Sequence, residues 1–266
     1  MKRLAWATDV HLNFLSDEAV EVFACTLAAA SPDALLLTGD IAEAPTVEGY
    51  LRVLGERLRR PIYFVLGNHD FYRGSIAEVR GRMAALTRSS DWLRWLAAAG
   101  VVELTPDTGL VGHDGWGDGR LGTGIDSPVL LNDFVFIEEL AWLDPPERFR
   151  RLAALGDEAA AHFREVLPGA LERFPRVLAL THVPPFRESC RYEGRVSADD
   201  YLPHFACQAV GEALLEAMLA RPDRDLTVLC GHTHSEGYVE VLPNLRVYTG
   251  AARYGQPALQ PEVQVA

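Results

Sequence analysis

The stretch Ile62-Tyr63-Phe64-Val65-Leu66-Gly67-Asn68-His69-Asp70 joins a short apolar run to a glycine and three polar residues. An apolar run of this length predicts a buried strand, because a buried helix needs roughly 10 residues or more. Four other runs share this length and character: Leu4–Thr8, Ala34–Thr38, Val177–Thr181 and Leu226–Cys230. Together with Ile62–Leu66 they give five predicted strands.

Segments with helical periodicity lie between the predicted strands of the N-terminal part of the chain. The apolar residues of Asp17–Ala30 and Val47–Arg60 recur on one face of a helix. Ser75 and Glu78 form a capping box ahead of a third helix, and Asp91–Ala99 is predicted as a fourth. Strand and helix thus alternate through the N-terminal part of the chain, which predicts βαβ units and a largely parallel sheet.

The remainder of the chain has a different organisation. Short strands are predicted at Val101–Leu104 and Gly109–Val111, within and beside a loop region near 105–135 that is rich in Gly and Asp. A helical excursion near 146–221 contains two long helical patterns, Pro146–Phe174 and Asp199–Arg221. An antiparallel pair of strands follows at Gly237–Val241 and Arg246–Thr249. No linker interrupts this order, so residues 1–266 are predicted to form a single domain.

Composition narrows the classes of function. The chain of 266 residues is 48% hydrophobic and 23% charged, which suits a globular domain with a sizeable core. Its net charge of −12, without a basic stripe, disfavours binding to an extended nucleic acid. No apolar run reaches the roughly 18 residues that a membrane helix needs, so no membrane partner is expected. Asp9 and His11 interrupt the N-terminal apolar stretch too early for a signal peptide, so we expect a cytoplasmic protein.

Polar residues follow every one of the five predicted strands. The residues at these ends are Asp9-Val10-His11, Gly39-Asp40, Gly67-Asn68-His69-Asp70, His182 and Gly231-His232-Thr233-His234. In open α/β sheets, ligands bind at the carboxyl ends of the strands. We therefore expect these side chains to meet at one edge.

The residue types at these ends indicate a metal site. Imidazole and carboxylate suit divalent Zn, Mn, Fe, Co and Ni, and the absence of thiolates argues against a structural zinc site. His232 and His234 are separated by one residue and can reach two different ions from one tight turn. A pair of divalent ions is therefore the expected cofactor. The alternative is that each residue is merely a cap or turn residue, which the complete set disfavours.

This ordered set of motifs resembles the calcineurin-like metallophosphoesterase family. The resemblance implies an α/β sandwich of two mixed sheets flanked by helices, with two metals at one edge. It implies that one ion is bound by Asp9, His11, Asp40 and His234, and the other by Asp40, Asn68, His182 and His232. Asp40 then bridges the ions. The resemblance also implies that His69 is the catalytic histidine and Asp70 its orienting partner.

The expected activity is hydrolysis of a small phosphomonoester, phosphodiester or nucleotide by a hydroxide that bridges the two metals. His69 is expected to give a proton to the leaving group, and Asp70 to hold that imidazole in orientation. Two other functions remain open. A metal-dependent nuclease is disfavoured by the negative charge, and a non-catalytic binding protein that keeps the fold is disfavoured by the complete ligand set.

Substrate selection is expected from loops around the strand ends. His113 and Asp114 end a short predicted strand and open a Gly-rich loop. Arg187 and Arg191 follow the candidate ligand His182, where they could clamp a second phosphate or a carboxylate, and Phe186 and Tyr192 could stack on a ring. The alternative for this second stretch is a solvated arginine-rich loop.

Overall fold

A computed structural model describes residues 1–266. The strands are β1 (Lys2–Ala7), β2 (Ala34–Thr38), β3 (Ile62–Val65), β4 (Leu93–Trp95), β5 (Val102–Thr105), β6 (Thr108–Gly112), β7 (Arg176–Leu180), β8 (Arg191–Tyr192), β9 (Arg195–Val196), β10 (Asp225–Cys230), β11 (Gly237–Leu242), β12 (Leu245–Thr249) and β13 (Val263–Val265). The helices are α1 (Asp17–Ala30), α2 (Val47–Leu58), α3 (Ile76–Ser89), α4 (Leu96–Ala99), α5 (Asp133–Phe136), α6 (Pro145–Arg173), α7 (Leu202–Phe205) and α8 (Gln208–Leu219).

The strands form two large mixed sheets and one small hairpin. The first sheet has the order β13-β1-β2-β3-β4, and only β13 runs antiparallel to its neighbour. The second has the order β11-β12-β10-β7-β6-β5, with antiparallel pairs only at its two edges. β8 and β9 pair only with each other. The expected fold class, two mixed sheets flanked by helices, is confirmed.

Burial on both faces explains why the central strands are continuously apolar. In β1, Leu4 and Trp6 lie in a core layer that also contains residues of the second sheet, such as Leu178 and Leu229. The alternate residues Ala5 and Ala7 belong instead to the layer under α1, α2 and α3. A third layer packs α6 and α8 against the second sheet. Each sheet is therefore held by helices on its outer face and by the other sheet on its inner face.

Helix starts follow the local capping chemistry of the sequence. The Ser16 hydroxyl accepts a hydrogen bond from Ala19 N at 3.2 Å at the start of α1, and Ser75 does the same from Glu78 N at the start of α3. The long helix α6 begins after Asp144, whose carboxylate accepts from Glu147 N at 2.9 Å. No helix has the length and apolar character to cross a membrane.

Two predicted helices are wrong in detail. The segment Asp91–Ala99 contains strand β4 before the short helix α4, because Leu93 and Trp95 lie in register with Ile62 and Phe64 of β3. These residues therefore pair with the exposed edge of β3 and form a strand, although their spacing also suits a helix.

The segment Asp199–Arg221 is two helices, α7 and α8, rather than one. The break falls at Ala206 and Cys207, which both have extended backbone. Cys207 N donates to Pro184 O at 2.9 Å, so a contact with a distant loop replaces the hydrogen bond that would continue the helix.

Candidate metal centre

The five strand-end loops meet at one edge of the sandwich. β1, β2 and β3 bring Asp9, Asp40 and Asn68 from the first sheet, and β7 and β10 bring His182 and His232 from the second. The edge forms because parallel neighbours end at the same side. Residues 223 positions apart come into contact there, as His232 N donates to both oxygens of Asp9 at 3.1 Å.

The backbone at this edge is strained. Five non-glycine residues have a left-handed φ: Asp9 (49°), His11 (42°), Asp40 (51°), His232 (69°) and His234 (55°). Such a conformation costs on the order of 1 kcal/mol or more for each residue and is concentrated at functional sites. At Gly67 no side chain is possible, because a Cβ there would collide with the Asp40 carboxylate. The loops are thus built to aim side chains at a common point.

The first cluster contains Asp9, His11, Asp40 and His234, whose ligand atoms all lie within 4.8 Å of one another. His11 Nε2 is 3.1 Å from His234 Nε2, and His234 Nε2 is 3.3 Å from Asp9 Oδ1. Burial lowers the pKa of His11 to about 3, so this ring is neutral and carries a lone pair. Carboxylates and neutral imidazoles converging in this way fit a divalent transition-metal ion.

The second cluster contains Asp40, His182 and His232, again within 4.8 Å, and Asn68 Oδ1 lies 3.3 Å from His182 Nε2. His182 Nδ1–H donates to Thr38 O at 2.8 Å, which leaves Nε2 without a proton in the neutral ring.

His232 is arranged in the same way. Its Nε2–H donates to His204 O at 3.1 Å, which leaves Nδ1 as the acceptor. His182 Nε2 and His232 Nδ1 are only 3.1 Å apart, so two lone pairs face each other. Asn68 and Asp40 add further acceptor oxygens and no donor toward this point. A cation bound between these atoms would satisfy all of them at once, so the donor set fits a metal.

Asp40 is shared by the two clusters. Its Oδ2 is 3.7 Å from His11 Nε2, and its Oδ1 is 3.4 Å from His182 Nε2. Burial, followed by the nearby Asp9 carboxylate, raises the pKa of Asp40 well above its usual value. Its ionised form therefore requires positive charge nearby, which ions in both clusters would provide.

His69 and Asp70 both lie at this edge. Contrary to the expectation, the Asp70 carboxylate does not contact the His69 ring. The His69 ring stacks on Tyr72 with 4.3 Å between centroids, and its Nε2 is 4.0 Å from Asp40 Oδ2. Its Nδ1 is buried without a hydrogen-bond partner.

The expectation that Asp70 orients the His69 imidazole is wrong. Asp70 Oδ1 accepts from the backbone amides of Ile41 and Ala42, and Oδ2 accepts from that of Gly67, at 2.8 to 2.9 Å. Three amides already occupy the carboxylate, so Asp70 instead ties the Asp40 loop to the Asn68 loop.

His113 and Asp114 do not reach the cleft, which corrects their expected substrate role. Asp114 is only 1% exposed, and it accepts from Leu66 N at 2.8 Å, Trp95 Nε1 at 2.8 Å and Arg80 Nε at 3.1 Å. His113 is buried as well, and its Nδ1 accepts from a backbone amide. These residues support the loops from beneath.

Arg187 and Arg191 are turned to other partners. Arg187 Nη1 is 2.7 Å from Asp199 Oδ1, and Arg191 Nη2 donates to Gly194 O at 2.8 Å. Neither arginine lines either of the two cavities beside the histidines, whereas Tyr192 lines the larger one. Phe186 is packed against the core layer under α8. The positions of these arginines therefore do not support a clamp on the substrate.

Several residues that contact the clusters were not predicted from the sequence, among them Asp133 and Tyr254. Asp133 Oδ1 accepts from Asn68 Nδ2 at 2.8 Å and from Tyr72 Oη at 2.7 Å. The ring of Tyr254 lies 4.5 Å from that of His11 and 4.9 Å from that of His234. Neither belongs to a strand-end motif, and their sequence neighbours give no signal for such a role.

Comparisons with known proteins found one matching family and several solved structures of similar fold. A family model described as calcineurin-like phosphoesterase matches residues 2–236. No curated protein sequence matches the chain. Among solved structures, the fold is similar to phosphopantetheinyl hydrolase from Mycobacterium tuberculosis, with a TM-score of 0.67, 15% identity, and coverage of 94% of this chain and 89% of that one. It is also similar to a dimetal phosphatase from Danio rerio, with a TM-score of 0.58, 13% identity, and coverage of 94% and 87%.

Proposed function

The chain belongs to the calcineurin-like phosphoesterase family of metal-dependent phosphoester hydrolases, and we propose that its strand-end side chains hold two divalent ions. Asp9, His11, Asp40 and His234 would bind one ion, and Asp40, Asn68, His182 and His232 the other. The observation that carries this proposal is the pair of imidazole nitrogens His182 Nε2 and His232 Nδ1, 3.1 Å apart, while the opposite nitrogen of each ring is held by a backbone carbonyl. The ligand types suit Mn, Fe, Zn, Co or Ni.

Two such ions supply acidification of a bound water and neutralisation of charge on the phosphoryl oxygens. The protein itself contributes only two carboxylates, Asp9 and Asp40, to this set. The occupied centre is therefore locally positive although the whole chain carries a net charge of −12. The local electrostatic potential, rather than the net charge, determines where a small anion binds. The centre would therefore attract a phosphoester while the surface repels a long polyanion. This difference favours a small phosphorylated substrate over a nucleic acid.

His69 would donate a hydrogen bond to the leaving oxygen as a neutral ring, and a proton only from its imidazolium form. Burial lowers the pKa of His69 to about 4, so the free ring is neutral near pH 7. Its Nδ1 is buried without an acceptor, and a proton placed there would be left unsatisfied. The neutral ring therefore keeps its proton on Nε2, which faces Asp40. Stacking on Tyr72 holds the ring in this direction.

Elemental analysis and turnover test the metal centre together. After loading with Mn²⁺, the wild-type protein should hold close to two ions per chain and hydrolyse bis-p-nitrophenyl phosphate or p-nitrophenyl phosphate. Asp40→Asn should lose more than one ion, because this carboxylate is shared. The control variant Asp91→Asn removes an exposed carboxylate outside both clusters and should retain both ions. A wild-type protein that stays metal-free and inactive after loading with Mn²⁺, Fe²⁺ and Zn²⁺ would overturn the proposal. A protein that binds both ions but hydrolyses neither ester would favour a non-catalytic binding protein.

A second experiment examines His69. His69→Ala should retain both ions and lose about 10²- to 10⁴-fold in rate, the usual contribution of acid catalysis. The loss should be smaller for a nitrophenyl ester than for an alkyl ester, since nitrophenolate leaves without a proton. Equal losses for both esters would remove His69 from this role. A wider panel of phosphorylated metabolites, including phosphopantetheinyl esters because of the similar fold named above, would then identify the substrate.

A further inference from the structure

Two connected cavities open from the candidate metal centre. The inner cavity has a volume of about 260 Å³, and the side chains on its floor include Asp40, Asn68 and His69. The outer cleft is larger, about 750 Å³, which is the size of a typical small-molecule site. The two share four lining residues: Phe205, His232, His234 and Tyr254. A phosphoryl group in the inner cavity would therefore direct its organic substituent into the outer cleft.

Aromatic rings line this outer cleft from the metal centre outward. Phe205 packs on His232 with 4.6 Å between ring centroids, and Tyr201 lies 6.1 Å beyond Phe205. On the other side, Tyr254 packs on His234 at 4.9 Å. Tyr192, Tyr201 and Tyr254 are 59%, 51% and 54% exposed, although tyrosine carries a large apolar surface. Exposed aromatic side chains gathered in one cleft indicate a binding surface for an apolar or flat group.

The charge of the cleft is the second observation. Among its twelve lining residues there is no arginine or lysine, and the single acidic residue is Glu193. The nearby Arg187 and Arg191 are paired with Asp199 and the Gly194 carbonyl, outside the lining. Away from the metal centre, a second phosphate or a carboxylate on the substrate would find the Glu193 carboxylate and no arginine or lysine. The outer cleft therefore disfavours a doubly anionic ligand.

We propose that the outer cleft binds the organic part of the phosphoester, and that its chemistry selects an uncharged aromatic or other flat apolar group. Nucleoside diphosphates, bisphosphates and phosphorylated carboxylic acids are disfavoured by the same chemistry. This inference rests on the proposed function, because the metal centre is what places the phosphoryl group in the inner cavity.

Phosphonates test the cleft without turnover. Their C–P bond is not hydrolysed as an ester, so calorimetry on the Mn²⁺-loaded protein reads binding alone. Phenylphosphonate should bind about tenfold or more tightly than methylphosphonate, and 3-phosphonopropionate no more tightly than methylphosphonate. In Tyr201→Ala the preference for the phenyl compound should fall several-fold, whereas Tyr201→Phe, which keeps the ring, should retain it.

The control variant is Trp142→Ala, which removes an aromatic side chain that is 83% exposed and outside both cavities. It should keep the wild-type preference. Equal affinity for phenyl- and methylphosphonate, or tightest binding of 3-phosphonopropionate, would overturn the inference while leaving the proposed function intact. If no phosphonate binds and no ester is hydrolysed by the loaded protein, the proposed function fails first and the inference with it.

Discussion

The amide of Asn68 can coordinate a cation only through its oxygen, so its orientation matters. Asn68 Nδ2 donates to Asp133 Oδ1 at 2.8 Å, which turns Oδ1 toward His182 Nε2 at 3.3 Å. Tyr72 Oη donates to the same Asp133 oxygen, and its ring stacks on His69. One carboxylate oxygen thereby fixes a candidate metal ligand and the ring beneath the candidate acid. Asp133 acts through these neighbours and is a positioning residue.

Two substitutions of Asp133 distinguish the role of its acceptor oxygen from the role of its charge. Asp133→Ala should weaken the second ion's binding by about 10- to 100-fold, the usual cost of losing a partner behind a ligand. Asp133→Asn should retain most of the affinity, because its amide oxygen can accept from both Asn68 and Tyr72. Calorimetric titration of the metal-free variants with Mn²⁺ measures both. If the alanine and asparagine variants bind the second ion equally well, the orienting role of Asp133 is wrong.

Among the elements, α3 begins on a cap that comes from a distant segment. Glu139 accepts from the Ser75 hydroxyl at 2.7 Å, from Ile76 N at 2.8 Å and from Ala77 N at 3.1 Å. Arg73 N donates to Phe136 O at 2.7 Å beside it. Burial raises the pKa of Glu139, but the hydrogen bonds from Ile76, Ser75 and Ala77 together lower it by more. The pKa of Glu139 is therefore below its usual value. A carboxylate at the N-terminus of a helix stabilises the helix through its interaction with the helix dipole.

The stability of the protein should depend on this cap in a defined pH range. Glu139→Gln should lower the free energy of unfolding by about 0.5–1 kcal/mol at pH 7. The folded pKa lies below the unfolded value, so the contribution is complete above the unfolded pKa of a glutamate and is lost as the pH falls through the folded pKa. The difference between wild type and variant should therefore shrink below about pH 4.5.

Chemical denaturation at several pH values measures this difference. Glu138→Gln is the matched control, because the neighbouring side chain makes no hydrogen bond to α3 and its removal should change stability little. A difference for Glu139→Gln that is equally large at pH 7 and pH 3.5 would contradict the cap.

In the whole molecule, the candidate metal centre joins the two sheets. The loops after β1, β2 and β3 supply four of the proposed ligands, and those after β7 and β10 supply the other three. In the absence of cations the acceptor atoms of the two sheets face one another across this edge. Metal binding should therefore stabilise the packing of one sheet on the other, because ions bind the folded arrangement and not the dispersed ligands of the unfolded chain.

Thermal unfolding with and without metal tests this link. After chelator treatment, addition of Mn²⁺ at about 100 times its dissociation constant should stabilise the fold by about 2.7 kcal/mol for each ion bound. For a chain of this size that corresponds to a rise in Tm of roughly 5 °C or more. Asp40→Asn should show a clearly smaller rise, and Asp91→Asn the wild-type rise. An unchanged Tm for the wild type, at a metal concentration shown to saturate it, would mean that the ions bind the unfolded chain as tightly as the folded arrangement, which would contradict this prediction.

The sequence by itself determined the strands and the residues at their ends. The five principal runs, from Leu4–Thr8 to Leu226–Cys230, predict β1, β2, β3, β7 and β10 to within a residue or two at each end. They are visible because strands buried on both faces must be apolar throughout. The Asp, Asn and His residues follow them directly, so one rule about parallel sheets places those of each sheet at the same edge. Packing of the two sheets then brings the two edges together.

Only the tertiary structure decided which atoms meet. It assigned Asp70 to three backbone amides, placed His113 and Asp114 beneath the site, and turned Leu93–Trp95 into a strand. It also brought Asp133 to Asn68 across 65 positions, Tyr254 to His11, and β13 to the edge of β1. Local periodicity and capping depend on residues a few positions apart. Contacts between distant segments depend instead on how complete layers pack, and no short stretch of sequence contains that information.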